Sequence, residues 1–326
     1  MKSRLRQIIV KLIVPLLDVL LAPFTLLAAA LLKCIRRAGI AHAPVSKSIF
    51  RGLGVFPLID HYYEPMFDYR QLKRPLHAER DLPGIDWNVE EQLALLDKLD
   101  FSAELKTMPL DQDVAGKFYF NNGNFGAGDA EYFYGIIRSF KPARLVEIGA
   151  GFSTLMARNA VSRNAAEQPG YVCKHVCIEP YEMPWLETLP DVTIVRDRVE
   201  TSDPQLFAQL DRNDILFIDS SHMIRPQGDV LFEYLELLPR LRPGVLVHVH
   251  DIFSPRDYPA RWLADEVKFW NEQYLLEAFL SCNGKFRIIG ALNFLFHHHR
   301  DRLLEKCPVL KSKPGLEPGS FWMVRT

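Results

Sequence analysis

The chain has 326 residues, 48% of them apolar and 24% charged. That balance sustains a globular core and excludes a disordered chain, and the length allows one or two domains. Lysine and arginine number 39 against 40 aspartates and glutamates, a formal net charge of −1, which excludes an electrostatic nucleic-acid binder. Cys34, Cys173, Cys177, Cys282 and Cys307 lack paired metal-type spacing. They read as reduced thiols of a cytosolic protein, mostly filling core.

Residues 12–32 read LIVPLLDVLLAPFTLLAAALL, with Asp18 the one charge. As a helix this run spans about 32 Å at 1.5 Å per residue, enough to cross a bilayer. Lys2, Arg4, Arg6 and Lys11 precede it and Lys33, Arg36 and Arg37 follow it, so charge fixes no orientation. The run is long for a signal peptide and ends in KCIRR rather than small residues. Pro15 and Pro23 are expected to kink it, which admits an in-plane or re-entrant segment as well as a span. Residues 1–40 are therefore assigned to membrane association on the cytoplasmic face. The competing expectation is a helix buried against the domain.

Residues 41–125 read as a helical accessory region. IDWNVEEQLALLDKL (85–99) has an Asn-x-x-Glu cap pattern and apolar residues at helical spacing. NNGNFGAGDA (121–130), with three glycines, is a loop. From about residue 126 strands and helices alternate. Strands are expected at 143–149, 174–180, 192–196, 214–219, 244–251, 286–290 and 321–325. Helices are expected between them, including a long one over 260–280. Apolar strands joined by amphipathic helices predict an α/β fold: a mostly parallel, seven-stranded, Rossmann-like sheet covered on both faces.

The first strand ends in VEIGAGFST (146–154). Gly149 and Gly151 suit a tight strand-to-helix turn close to a ligand, and Ser153 and Thr154 open the helix. Thr154 stands where a dinucleotide fingerprint has its third glycine or alanine. Glu147 suits a ligand ammonium better than a pyrophosphate. Glu179, ending the second strand in CIEPYE, suits ribose hydroxyls.

E-x-G-x-G, an acid ending the second strand and FIDSSH (217–222) ending the fourth together resemble a class I S-adenosylmethionine-dependent methyltransferase over residues 120–326. GAGDAEYFYGIIRSFKPARLVEIGAG (126–151) is similar to the segment leading into the cofactor loop of catechol O-methyltransferases. The pattern over 61–282 looks like a bacterial methyltransferase family of unassigned substrate. The resemblance implies S-adenosylmethionine bound by Glu147, Gly149, Gly151, Ser153, Thr154 and Glu179. The spacing from Glu147 to Glu179 is long and suggests a loop insertion near 162–172.

Asp219 ends the fourth strand and His250 and Asp251 end the fifth, so in a parallel sheet they sit side by side over the ligand crevice. Similarity to metal-dependent O-methyltransferases, of the catechol and macrolide-sugar types, implies Asp219, His250 and Asp251 as ligands of a divalent cation. His250 replaces the usual oxygen ligand and shifts preference from magnesium toward manganese, iron or zinc. His222 falls where these families place a general base. His248 is expected on the sheet face opposite His250, in a structural role. Asn121, Asn124, Phe125 and Asp129 are expected over the ligand. IFSPRDYP (252–259) reads as a substrate-side lid with Arg256 and Tyr258 exposed, Trp262, Phe269 and Trp270 as core, and His297 to His299 as a solvated face.

These readings converge on metal-assisted O-methylation of a small-molecule or glycan acceptor, a sugar or glycolipid. The alternatives are a metal-dependent oxygenase or hydrolase, and a non-catalytic adenosyl-binding scaffold.

Overall fold

A computed structural model describes residues 9–326; Lys2, Arg4 and Arg6 lie outside the described residues. The chain divides into two compact units, Met1–Lys73 and Arg74–Thr326.

In the first unit, a π turn (Ile9–Ile13) leads into helix α1 (Val14–Ala38). Pro15 sits in the first turn, where its missing N–H costs nothing. The helix continues through Pro23. The stretch Lys11–Ala38 is long and apolar enough to cross a membrane, and none of its most apolar window is buried. Gly39 ends α1, and a short helix α2 (Pro44–Leu53) follows, closed by Gly54 in the left-handed conformation.

The second unit is built on a seven-stranded sheet: β1 (Arg144–Ile148), β2 (Lys174–Ile178), β3 (Val192–Val195), β4 (Ile215–Ile218), β5 (Leu246–Val249), β6 (Phe286–Ala291) and β7 (Phe321–Arg325). Their spatial order is β3-β2-β1-β4-β5-β7-β6. β1 to β5 are parallel, and β7 inserts antiparallel between β5 and β6. Chain order reverses beside β1, the place where open α/β sheets bind ligands.

Side-chain alternation divides the core in two. Leu145, Cys177, Phe217 and Leu246 share one face with helices α4 (Asp129–Phe140) and α5 (Phe152–Glu167), which follow α3 (Val89–Lys98). Val146, Ile178, Ile218 and Val249 share the other. Asn88 precedes α3 as expected, but its amide reaches the Glu91 side chain and the Ile288 carbonyl rather than capping the helix N–H groups. The extra residues between Glu147 and Glu179 prolong α5 to Glu167 before a turn.

The long helix expected over 260–280 is broken. Helix α6 (Ala260–Ala264) and helix α7 (Glu272–Leu280) flank a non-helical stretch in which Val267 has φ 53°. Between β4 and β5 the helix beginning at Asp229 changes pitch, with a π turn at Glu233–Leu237.

Candidate active site

The carboxyl ends of β1, β2, β4 and β5 open on a cavity of about 1070 Å³. Beside it, sharing Asn124, Gly149, Glu179 and Asp219, is a smaller cradle that Gly151, Ser153 and Met183 complete. The two loop glycines serve different ends. Gly149 has φ 79°, and a Cβ there would stand 1.8 Å from the Asp219 carbonyl oxygen, so its bareness lets β1 and β4 close together. A Cβ at Gly151 would meet nothing nearer than Met183 at 3.9 Å, which leaves room above the loop. Glu179 lines the cavity, and its Oε1 accepts the N–H groups of Tyr181 and Glu182 at 2.9 and 2.8 Å, fixing the carboxylate.

Glu147 and Thr154 are placed differently from the expectation. Glu147 lies on the same sheet face as Leu145 and is wholly buried beneath the loop. Its Oε2 accepts from Thr154 Oγ1 at 2.6 Å and Cys177 Sγ at 3.1 Å, and lies 2.8 Å from His175 Nε2. Thr154 Oγ1 in turn accepts the Gly151 N–H at 3.2 Å. This pair braces the loop from below; direct contact with a ligand ammonium is not its geometry.

Asp219, His222, His250 and Asp251 come together on the cavity wall. His222 Nε2 lies 3.3 Å from Asp219 and 3.5 Å from Asp251. His250 Nδ1 lies 3.5 and 3.4 Å from the same two carboxylates. Asp219, His222 and Asp251 each offer a ligand atom within 4.8 Å of the others, so His222 stands as close to the carboxylates as His250 does. Two carboxylates facing two imidazoles are a donor set that suits a divalent transition ion. Both His222 and Asp251 have φ 58°, a left-handed conformation unfavourable for these residues and typical of functional turns.

Burial disfavours a charged His222, but its hydrogen bonds to Asp219 and Glu272 overcome that and raise its pKa to about 10. His250 is raised as well: burial opposes it, and the charges of Asp251 and Asp219 prevail. Asp219 is held below the usual carboxylate range, because the charge of His250 outweighs burial.

Glu272 and Lys268, not singled out in the sequence, support the wall. Glu272, fully buried, lies 2.8 Å from His222 Nδ1 through Oε2 and accepts from Tyr234 at 3.1 Å. Nothing local in NEQYLLEAFL marks this glutamate. Trp262 and Trp270 are half-buried cavity walls, not core, and Lys268 lies 4.3 and 4.1 Å from their ring centres.

Further expectations are corrected. His248 and His250 share a side, as residues two apart in a strand must; their ring centroids are 5.7 Å apart and both face Phe125. His248 is buried, bonded to Ser320 Oγ at 2.9 Å and stacked on Phe217. Segment 252–259 is pinned: Phe253 N–H donates to Gln273, Ser254 to Glu277, and Tyr258 is buried with its hydroxyl on the Gln273 N–H. Of the preceding loop, Asn124 and Phe125 line the cradle. Asn121 bonds Asp111 instead, and Asp129 accepts the N–H groups of Gly319 and Ser320. His297 and His298, on the surface as expected, pair with Glu317 and Glu79.

Residues 146–252 match a family model described as a methyltransferase domain. An uncharacterized protein of Archaeoglobus fulgidus is 28% identical over 182 residues, 52% of this chain and 80% of that relative. Among solved structures, the O-methyltransferase from Bacillus cereus in complex with SAH is 13% identical and has a TM-score of 0.36, covering 72% of this chain and 91% of that one. A TDP-rhamnose 3'-O-methyltransferase of calicheamicin biosynthesis is 13% identical with a TM-score of 0.38, covering 76% and 99%. The family match runs from within β1 to just past β5, the segment that carries Gly149, Gly151, Ser153 and Glu179 of the cradle and the Asp219–Asp251 wall. Residues 146–252 of the chain thus match a methyltransferase domain.

Proposed function

We propose that the enzyme is a metal-assisted O-methyltransferase of a hydroxylated small-molecule or glycan acceptor, a sugar or glycolipid, held on the cytoplasmic face of a membrane by residues 1–40. The observation that carries this reading is the junction of two adjoining pockets that share Gly149, Glu179 and Asp219: the glycine cradle, and the pocket lined by Asp219, His222, His250 and Asp251.

S-adenosylmethionine, when bound, supplies an electrophilic methyl group, and a divalent cation supplies Lewis-acid polarisation of the acceptor hydroxyl. Gly151 and Ser153 leave space for the methyl donor, and Glu179 accepts its ribose hydroxyls. Asp219, Asp251 and His250 would hold the cation. His222 takes the acceptor proton at Nε2. Glu272 occupies Nδ1, so the bare nitrogen of the neutral ring is the one facing the cavity. A cation held by these carboxylates would offset their pull on the His222 proton and bring the imidazole toward a working base. The bare apolar helix α1 and the free state of all five cysteines support the membrane and cytoplasmic assignments.

Calorimetry of the purified protein tests the reading, with S-adenosylmethionine titrated alone and beside magnesium, manganese, iron(II) and zinc. We expect binding of the nucleoside and of at least one cation, with manganese or zinc favoured over magnesium. Binding of S-adenosylmethionine without any cation would leave a metal-free transferase and refute metal assistance.

A further inference from the structure

We propose that α2 and the segment after it form a second membrane contact, an in-plane collar that lies on anionic lipid headgroups beside the apolar helix α1. This deepens the membrane reading above and rests on it.

Val45, Ile49 and Leu53 recur every fourth residue of α2 and fall within an arc of about 80°. They are 73%, 53% and 73% exposed, a solvent-facing apolar stripe where a soluble helix would show its polar face. Lys47 and Arg51 stand about 160° from the centre of that stripe. Val55, Phe56, Tyr62 and Tyr63 extend the exposed apolar surface.

The stripe is fixed to the end of α1. Arg36, in the last turn of α1, forms an ion pair with Glu64 and lies 4.7 Å from the ring centre of Phe56. Phe56 meets Phe50 edge-to-face, and Phe50 is the buried residue of α2. The collar is thus folded back against the end of the helix rather than trailing from it.

Continuity with α1 identifies the occupant. A bilayer that takes α1 meets the stripe at its surface, where tyrosines are at home and lysine and arginine can reach headgroups. From residue 33 to residue 64 the chain has five lysines and arginines against Asp60 and Glu64, the latter paired with Arg36, an excess of three positive charges. That charge selects anionic lipid.

The test uses full-length protein with Ile49→Trp, compared with Arg51→Trp on the opposite face and with the parent chain. Vesicles are phosphatidylcholine, dibrominated near the carbonyl end of its acyl chains, with and without about 30 mol% phosphatidylglycerol. Co-flotation is measured first and tryptophan quenching second. We expect co-flotation, and quenching of the tryptophan at position 49 at least about twofold above that at position 51, strengthened by phosphatidylglycerol. Val45→Trp, one turn earlier on the stripe, repeats the measurement if Ile49→Trp does not fold. Co-flotation with equal quenching at the two faces overturns the collar and leaves the anchor standing. Quenching unaffected by phosphatidylglycerol overturns the anionic assignment. Failure to co-float overturns the anchor and the collar together.

Discussion

Glu272→Gln isolates what positions the base. The substitution keeps the side-chain volume and removes one charge from a fully buried contact, 2.8 Å from His222 Nδ1. A charge-assisted hydrogen bond in such a site contributes about 1.5–3 kcal/mol. At 1.36 kcal/mol per pKa unit, the His222 pKa of the metal-free protein should fall from about 10 by about one to two. The folded-state value lies above the unfolded one of about 6.5. The stability that His222 contributes is therefore complete below about pH 6.5 and is lost as pH rises toward about 10. Glu272→Gln should cost most in acid and little in alkali. The assays are an NMR titration of the histidines in chelator, and denaturant unfolding of both proteins in detergent at about pH 6 and about pH 10. A wild-type His222 that titrates near 6.5, or a variant penalty independent of pH, would refute the buried ion-pair reasoning.

Gly149→Ala places a methyl group on the Asp219 carbonyl and strains a positive φ; we expect a loss of about 2 kcal/mol or more, read as a lowered denaturation midpoint. Glu179→Ala should weaken S-adenosylmethionine by about 2 kcal/mol in calorimetry, from two lost charge-assisted bonds, with unfolding little changed. Asp219→Ala and Asp251→Ala should lose cation affinity, whereas His222→Ala should keep both cation and S-adenosylmethionine and lose turnover by roughly 10²–10⁴-fold. A His222→Ala protein that no longer binds a cation would make that imidazole a ligand instead of the base.

The sheet was legible because its strands are short apolar runs between turn residues. β4 and β5, each buried at all four positions, show no polar alternation to confuse them with surface strands. The glycine turn and the carboxylates at strand ends were legible for the same reason: a strand's last residues predict where its side chains emerge. Glu147 shows the limit of that rule. It precedes the strand end by one residue, and the period of two that puts Leu145 in the core puts Glu147 there with it. The same period, applied to His248 and His250, predicts the shared side that the structure has.

What the sequence did not disclose is the device that holds His222. Trp262, Phe269 and Trp270 at helical spacing suggest one continuous helix, and in such a helix the N–H groups of Asn271 and Glu272 are consumed by carbonyls four residues earlier. The break at 265–271 frees them. Both N–H groups donate instead to the His222 carbonyl, at 3.0 and 3.2 Å, while the Asn271 side chain accepts the Ile224 N–H at 2.7 Å. These bonds clamp the strained turn after β4 from outside, and Glu272 enters α7 with its carboxylate on the imidazole. The left-handed backbone at His222 is held by partners some 50 residues away in the chain. The same break brings Trp262 and Trp270 to the cavity wall. Local helical propensity and site geometry are thus in conflict over 260–280, and the tertiary hydrogen bonds to the β4 turn decide it.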